Sequence, residues 1–362
     1  MKFRVIKQNV GVDISKDDFK ACFYQLSIDQ SKRIKGSKTF KNTKAGFAAF
    51  LKWVEKHRAK DVEVRITMEA TGVYYEQLVH YLKDHQDYYL SVVLPNMSKA
   101  YFKSLNVKSK TDKIDAKILG LMGLERDLGK WAPMSDNLRN LKQLTRDRVS
   151  LLEQKTALSN RLHALKHSYD PHKEVIKRLN QQIRFLKKQI KEVEKQIEQL
   201  VDQDKILKER VEKICTVKGL GITTVASVIA ETGGFELFTS RGQLISYSGY
   251  DIVENESGTS IKGKTRISKK GNKHIRRALH FPAMVVVKYE PEFKNFYERI
   301  FERSYIKKKG YVAVQRKLLI LIYTLYKKNE EYNPKFKDQK NDNTKEEIVQ
   351  NCRQDTMPAY TG

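Results

Sequence analysis

The sequence lacks the features that mark secreted and membrane proteins. Its three cysteines, Cys22, Cys215 and Cys352, have neither the spacing of a disulfide framework nor that of a zinc site. No apolar run reaches the roughly 18 residues that a membrane helix needs, and the N-terminus has no signal-peptide pattern. We therefore expect a cytoplasmic protein with no membrane partner.

Acidic residues are scarce relative to basic ones. The chain has 70 Lys and Arg against 43 Asp and Glu, which gives a net charge of +27 at pH 7. An excess of this size predicts a polyanionic partner, because cations that contact phosphates release bound counterions. The 362 residues provide material for about two to three domains.

The sequence pattern changes along the chain and predicts four parts. Residues 1–125 alternate strand-like and helix-like patterns, which predicts a mixed α/β sheet. Residues 126–210 have long helical periodicity, and residues 211–328 predict a compact, basic and mainly α-helical unit. Residues 329–362 are polar and predict a disordered tail. The fold class is therefore α/β, with a helical middle and a helical C-terminal part.

Apolar residues in the second part recur with alternating steps of three and four, as in a coiled coil. They are Ile176, Leu179, Ile183, Leu186, Ile190, Val193, Ile197 and Leu200. Pro171 separates this seam from a similar upstream run, so two helices that fold back on each other are plausible. A stalk that dimerises the protein fits the same spacing, because a heptad pattern does not show whether the partner helix belongs to the same chain or to another copy.

Four acidic residues in the first part occur where a metal site would need them. Asp13 follows the apolar stretch 10–12, and Glu69 ends the predicted strand 62–68. Asp112 and Asp115 are three residues apart and would project from one face of a helix. Each acid alone could be a turn residue or a helix cap. Together they predict a site for Mg²⁺, which prefers oxygen ligands and can assist phosphodiester chemistry.

The third part has a basic segment rich in Ser, Thr and Gly. Between Ser257 and His280 there are eight Lys or Arg residues and no acid, a composition that favours phosphate contact. The predicted nucleic-acid-binding residues are Lys262, Lys264, Arg266, Lys269, Lys270, Arg276 and Arg277. Clustered cations could also stabilise a hydroxyl nucleophile. Chemistry alone leaves four hydroxyls open: Ser257, Thr259, Ser260 and Ser268.

A glycine-bearing turn also lies between two apolar stretches of residues 211–238. This pattern is typical of a helix-hairpin-helix, whose second helix can present backbone N–H groups to a phosphate. An ordinary helix–helix connection with a glycine C-cap fits the same residues.

Three motifs resemble those of the DEDD transposases of bacterial insertion sequences: Gly11-Val12-Asp13, Met68-Glu69-Ala70-Thr71-Gly72 and Thr111-Asp112-Lys113-Ile114-Asp115-Ala116. The resemblance covers nearly the whole chain to about residue 328. It implies a RuvC-like, ribonuclease-H-type N-terminal domain in which the four acids bind the metal. By the same resemblance Ser257, in the Ser-Gly-x-Ser motif, is the nucleophile, with Ser260 as the second choice.

The resemblance implies a site-specific DNA recombinase that mobilises an insertion sequence through a covalent phosphoserine intermediate. Its expected partners are donor and target DNA, a structured noncoding guide RNA (a bridge RNA) and further copies of the chain, as a dimer that becomes a tetramer in the synaptic complex. The residues leave two alternatives open. One is a metal-dependent junction endonuclease that uses water as the nucleophile, and the other is an architectural nucleic-acid-binding protein without activity.

Overall fold

The computed structural model describes residues 4–70, 72–84, 88–106, 112–236, 238–253, 256–257, 261–262 and 266–334. For residues 112, 113, 256, 257, 261 and 262 only the backbone is described. Thr111, Thr259, Ser260, Lys264 and tail residues 335–362 were part of the sequence predictions and lie outside the described residues. The chain divides into two compact units, Met1–Pro133 and Met134–Gly362.

The first unit is built on a five-stranded sheet with the order β3-β2-β1-β4-β5. Strands β1, β2 and β3 are antiparallel neighbours, whereas β4 runs parallel to both β1 and β5. This arrangement confirms the predicted mixed α/β sheet. The strands are β1 (Val5–Ile14), β2 (Asp18–Ser27), β3 (Lys32–Lys41), β4 (Val64–Glu69) and β5 (Tyr88–Val93), and the helices are α1 (Lys44–His57), α2 (Tyr74–Lys83), α3 (Pro95–Ser104) and α4 (Asp112–Glu125).

One face of the sheet carries the main apolar core of this unit. Val10, Val12, Ile66 and Met68 alternate along β1 and β4 and are fully buried. Amphipathic helix α1 contributes aromatic side chains to the same core, and Thr43 caps its first turn by accepting a hydrogen bond from the Gly46 amide. Because successive side chains of a strand point to opposite faces, the intervening residues lie on the other face of the sheet.

The opposite face is covered by α4, which approaches the strands closely because glycines line the contact. A Cβ at Gly11 of β1 would lie 2.1 Å from the Ala116 carbonyl oxygen, and one at Gly123 would lie 2.2 Å from Asn9 Nδ2. Asn9 Nδ2 donates to the Gly120 carbonyl at 2.7 Å. Buried polar groups thus join the helix to the sheet where no apolar side chain fits.

The second unit is almost entirely helical. Its first two helices, α5 (Asp136–Lys166) and α6 (Lys173–Gln203), are each 31 residues long. The helices that follow are α7 (Lys205–Cys215), α8 (Ile222–Glu231), α9 (Arg241–Tyr247), α10 (Lys273–Ala278), α11 (His280–Tyr289), α12 (Pro291–Ser304) and α13 (Lys307–Lys328). Four two-residue strands, β6 (Ile252–Val253), β7 (Glu256–Ser257), β8 (Ile261–Lys262) and β9 (Arg266–Ile267), lie between α9 and α10.

Helices α5 and α6 fold back on each other within the chain. The Asn137 side chain donates to the Leu200 carbonyl at 3.2 Å, and Arg148 pairs with Glu194 at 2.7 Å. Most of the predicted seam is buried, from Leu179 to Ile197. The internal helical hairpin is therefore present, and a role for it between chains stays a prediction. No described helix is both long and apolar enough to cross a membrane.

Residues just beyond α13 contact α7. The Asn329 carbonyl accepts a hydrogen bond from Lys213 Nζ at 3.0 Å, and the Tyr332 amide donates to Thr216 Oγ1 at 3.3 Å. The described start of the predicted tail is thus held against the helical unit. The division of the chain into 1–125, 126–210 and 211–328 stays a prediction.

The close approach of α4 gives the first prediction. We expect Gly123→Ala to lower the free energy of unfolding by about 1–3 kcal/mol, because the new methyl group would overlap Asn9 and Thr67. Helix propensity alone would change stability in the opposite direction, by about 1 kcal/mol. Both tryptophans of the chain lie in the first unit, so urea unfolding followed by tryptophan fluorescence reports on it.

Gly129→Ala is the matched control, since a Cβ at Gly129 would meet nothing within 4 Å. It should be at least as stable as the native chain, by up to about 1 kcal/mol, because alanine restricts the unfolded chain. A Gly123→Ala protein that is as stable as the control would contradict the packing described for α4.

Candidate active site

Asp13 and Glu69 lie at the carboxyl ends of neighbouring parallel strands. The register of β1 and β4 pairs Val12 with Met68, so its continuation brings Asp13 beside Glu69. Parallel strands are about 4.8 Å apart, and paired residues point to the same face. Both side chains are half-buried, on the face opposite Val12 and Met68. Two of the predicted acids are therefore brought together.

The first turn of α4 reaches the same level of the sheet. Asn9 contacts the helix around Gly120 and Gly123, and Gly11, two residues further along β1, contacts it around Ala116 and Gly120. Two strand residues advance about 6.6 Å, which is close to the rise of about four helical residues. Two residues beyond Gly11, β1 reaches Asp13. The helix segment at the same height is residues 112–116. This segment contains Asp112 and Asp115.

The described carboxylates have defined surroundings. Asp115 is half-buried, and its Oδ1 atom is shielded from solvent. Ser98 of α3, itself buried, donates a hydrogen bond to Glu69 Oε2, and its hydroxyl also lies 3.1 Å from the Pro95 carbonyl oxygen. Ser98 was missed by the sequence reasoning, although α3 begins directly after β5 and so starts at the same edge of the sheet as Glu69.

The donor set fits a hard divalent cation, because Asp13, Glu69 and Asp115 offer only carboxylate oxygens. Among the described residues, no group of three or more His, Cys, Asp or Glu side chains has the geometry of a metal site. Asp112 begins α4, but its side chain lies outside the described part of the chain. The identity of the four metal ligands therefore stays a prediction.

Ser257 lies on a β-hairpin that the sequence reasoning did not find. Ile252 pairs with Ile267 and Val253 with Arg266, and in a second strand pair, β7 and β8, Ser257 pairs with Ile261. We call these two strand pairs together the Ser257 hairpin. These strands of two residues are too short for an alternating pattern to be recognised. Ser257 belongs to the last described pair of the hairpin, and its side chain lies outside the described residues.

The base of this hairpin is fixed by hydrogen bonds below β6 and β9. The Ser268 amide donates to the Asp251 carbonyl at 2.8 Å, and the Ser268 hydroxyl donates to Asp251 Oδ1, also at 2.8 Å. The Lys269 amide donates to the Gly249 carbonyl at 3.1 Å. Ser268, one of the hydroxyls left open by the sequence, is thus engaged at the base of the hairpin.

The predicted nucleic-acid-binding residues differ in their surroundings. Arg266, Lys269 and Lys270 are exposed, as phosphate contact requires. Arg276 donates to the Ser248 carbonyl at 2.7 Å, and Arg277 forms an ion pair with Glu153 of α5. The Lys262 side chain and the whole of Lys264 lie outside the described residues. Nucleic-acid binding by these residues stays a prediction.

A buried carboxylate, Glu231, lies next to the base of the hairpin and was also missed. Its side chain is 1% exposed and accepts two hydrogen bonds from Arg146, at 2.6 and 2.9 Å, and one from Asn272 at 2.7 Å. Burial by itself would raise the pKa of Glu231, but these hydrogen bonds outweigh it and lower the pKa. The sequence contains one indication of this network: an acidic residue directly after the largely apolar stretch 225–230 is expected to need a buried partner.

The predicted helix-hairpin-helix corresponds to α7, a turn and α8. Gly219 has a φ of +100° in this turn, and a Cβ there would press against Val285 at 3.0 Å. Gly221 precedes the first turn of α8, is exposed and has open space around it. The turn is thus accessible, and phosphate binding by it stays a prediction.

Two family models match the chain. A DEDD transposase model of the IS110 type, described as Transposase, matches residues 10–171. A second model, described as Transposase IS116/IS110/IS902 family, matches residues 211–298. The first match includes all four predicted acids, and the second includes the hairpin with Ser257 and the segment up to Arg277.

Similar proteins extend the match over almost the whole chain. The pilin gene-inverting proteins of Moraxella bovis and Moraxella lacunata are each 30% identical over 332 residues, which are 91% of this chain and 99% of the relative. An uncharacterized 42 kDa protein of insertion element IS900 from Mycobacterium paratuberculosis is 24% identical over 37% of this chain and 35% of its own length. A solved Ppx/GppA-family structure from Aquifex aeolicus covers 90% of this chain and 92% of its own, at 10% identity and a TM-score of 0.21, too low for a structural argument. The chain therefore belongs to the IS116/IS110/IS902 family of transposases and is a DNA transposase or recombinase.

Proposed function

We propose that this protein is a site-specific recombinase that cuts and rejoins DNA through a covalent bond between Ser257 and a DNA phosphate. Asp13, Glu69, Asp112 and Asp115 hold Mg²⁺ at the scissile phosphate. One observation carries the proposal. The carboxyl ends of β1 and β4 and the first turn of α4 lie at the same height along the strands of the sheet. This arrangement supports a shared location for the four acids in a chain of net charge +27.

The reaction conserves the energy of the phosphodiester. The Ser257 oxygen bonds to phosphorus while the bond from phosphorus to the leaving strand's oxygen breaks, and that oxygen gains a proton as the serine loses one. A hydroxyl of another strand then attacks the phosphoserine and releases Ser257. When bound, Mg²⁺ would neutralise charge that develops on the phosphate oxygens.

Side chains of the protein align the Ser257 hydroxyl with the DNA phosphate. Arg266, Lys269 and Lys270 are exposed on and beside the hairpin of Ser257, where they can contact the DNA backbone on either side of the cut. Their charges also lower the free energy of a serine alkoxide. Ser98 holds Glu69 in one orientation, as residues behind a metal ligand commonly do.

The acids belong to the first unit and Ser257 to the second. We propose that they act on one phosphate in an assembly of several copies of the chain, a dimer that becomes a tetramer on synapsis, in which the two centres come from different protomers. The helical hairpin of α5 and α6 is a suitable contact between copies. The RuvC-like character of the first domain, the boundaries 1–125, 126–210 and 211–328, and a cytoplasmic location belong to the same proposal.

A structured noncoding guide RNA completes the proposal. The family relationship implies DNA as the substrate, and pairing of an RNA with donor and target would supply sequence choice while the protein contacts the backbone. The large positive charge supports two nucleic-acid partners.

The serine mechanism predicts a trapped intermediate. Full-length protein incubated with Mg²⁺, guide RNA and labelled donor and target DNA should yield a protein–DNA adduct that survives denaturation. Ser257→Ala should abolish the adduct and strand exchange, because the bonding oxygen is absent, while DNA affinity changes by less than about threefold. Ser260→Ala is the matched control and should form the adduct.

The alternative of a junction endonuclease, in which water is the nucleophile, predicts a different result for Ser257→Ala. If Ser257→Ala still cuts both strands with no adduct in the native protein, the chain is a junction endonuclease with a metal-bound nucleophile. If Glu69→Gln and Asp115→Asn change only DNA affinity, the third alternative, an architectural protein, is correct.

The hydrogen bond from Ser98 gives a separate prediction about the acids. Ser98→Ala leaves Glu69 without this donor, so we expect the Mg²⁺ concentration for half-maximal cleavage to rise by about 10–100-fold. Ser98→Thr retains a hydroxyl and should require a concentration close to that of the native chain. A Mg²⁺ titration of cleavage measures both, and an unchanged midpoint for Ser98→Ala would mean that Glu69 does not bind the metal.

A further inference from the structure

The buried network around Glu231 has a geometry that links the helical hairpin to the hairpin of Ser257. We propose that Glu231 and Asn272 are a positioning pair for the cleavage step: their hydrogen bond fixes the base of the β-hairpin, and Arg146 fixes Glu231 to α5. The proposal rests on the function proposed above, because it takes Ser257 as the nucleophile.

Asn272 is the point at which three separate elements are fixed. Its Nδ2 donates to Glu231 Oε2 at 2.7 Å, and its Oδ1 accepts from the amides of His274 and Ile275 at the start of α10. Its own amide donates to the Tyr247 carbonyl at 2.7 Å, directly below the hairpin. The position of one side chain thus determines where the hairpin, α10 and α8 meet.

Stability alone does not account for a carboxylate in this place. Glu231 ends an apolar helix, α8, and its side chain is buried, whereas the Arg146 side chain is 45% exposed. Removing a carboxylate from water is costly, and apolar replacements of buried ion pairs are commonly as stable as the pair. What the carboxylate provides and an apolar residue cannot is a directed acceptor for Asn272 and a bidentate link to an arginine.

Small changes at the hairpin base have large effects at Ser257. Ser257 is six residues from Asp251, so it can lie up to about 20 Å from the base in an extended chain. A rotation of only about 3° at the base would move a point at that distance by about 1 Å. A displacement of that size in a reacting group can slow a reaction about 100-fold.

Helix α5 contacts the same segment at a second point. Arg146 and Glu153 are seven residues apart, so they lie on one face of α5, and Glu153 pairs with Arg277 of α10. Two turns of this helix therefore support residues 272–277. The orientation of the Ser257 hairpin consequently follows the orientation of α5, and so of the helical hairpin as a whole.

An exchange of donor and acceptor tests the pair in the full-length protein with guide RNA, DNA and Mg²⁺. Asn272→Asp retains the cap of α10, since Asp and Asn cap equally well, but it cannot donate to Glu231. We expect adduct formation under single-turnover conditions to slow about 100-fold, with DNA affinity within about threefold of the native value. Adding Glu231→Gln to this variant supplies an amide donor toward the carboxylate introduced at position 272, but it leaves Arg146 one acceptor instead of two. We therefore expect the double variant to restore part of the rate.

Glu192→Gln is the matched control, because it breaks an ion pair with Lys188 within α6 and changes neither the contacts of α5 nor the hairpin base. Its rate should equal the native rate. The proposal is overturned if Asn272→Asp reacts at the native rate, if the double variant is no faster than Asn272→Asp, or if affinity falls in parallel with the rate. The recombinase function fails separately, if the native protein forms no Ser257 adduct.

Discussion

The close contact between α4 and the sheet, at positions where glycines replace larger side chains, is the constraint on which the proposed acidic site depends. Gly11, Gly120 and Gly123 allow it, and the buried Asn9 replaces the missing apolar contact with hydrogen bonds to helix carbonyls. A larger residue at any of these glycines would meet backbone atoms, polar side chains or the ring of Tyr24 and push the helix outward. The first turn of α4 would then leave the level of Asp13 and Glu69.

The second unit uses charge in two different ways. Exposed cations such as Lys269 and Lys270 remain available for phosphates, whereas Arg146 and Arg276 are engaged with a buried carboxylate and a main-chain carbonyl. Coulomb attraction is much stronger away from water, so the engaged arginines hold structure together while the exposed ones can exchange partners. Cationic side chains therefore build both the support of the Ser257 hairpin and the surface around it.

The fold class, the sheet and the long helical hairpin could be predicted because their signals are periodic and local. Apolar residues at Val10, Val12 and along α6 repeat with the period of a strand or a helix, and motifs place Asp13 and Glu69 at strand ends. The support of the site could not be predicted. Ser98, Asn9 and Glu231 act through partners 29 to 111 residues away, and a sequence does not show which distant groups meet. The Ser257 hairpin was missed because its strands contain two residues each.

The central claim is that the metal-bound acids and Ser257 act on the same phosphate. Replacement of one non-bridging oxygen of that phosphate by sulfur tests it directly, since sulfur binds Mg²⁺ poorly and softer Mn²⁺ better. The account predicts that the sulfur slows formation of the Ser257 adduct in Mg²⁺ and that Mn²⁺ restores the rate. An adduct that forms equally fast with oxygen or sulfur in Mg²⁺, or that forms without any divalent cation, would contradict it.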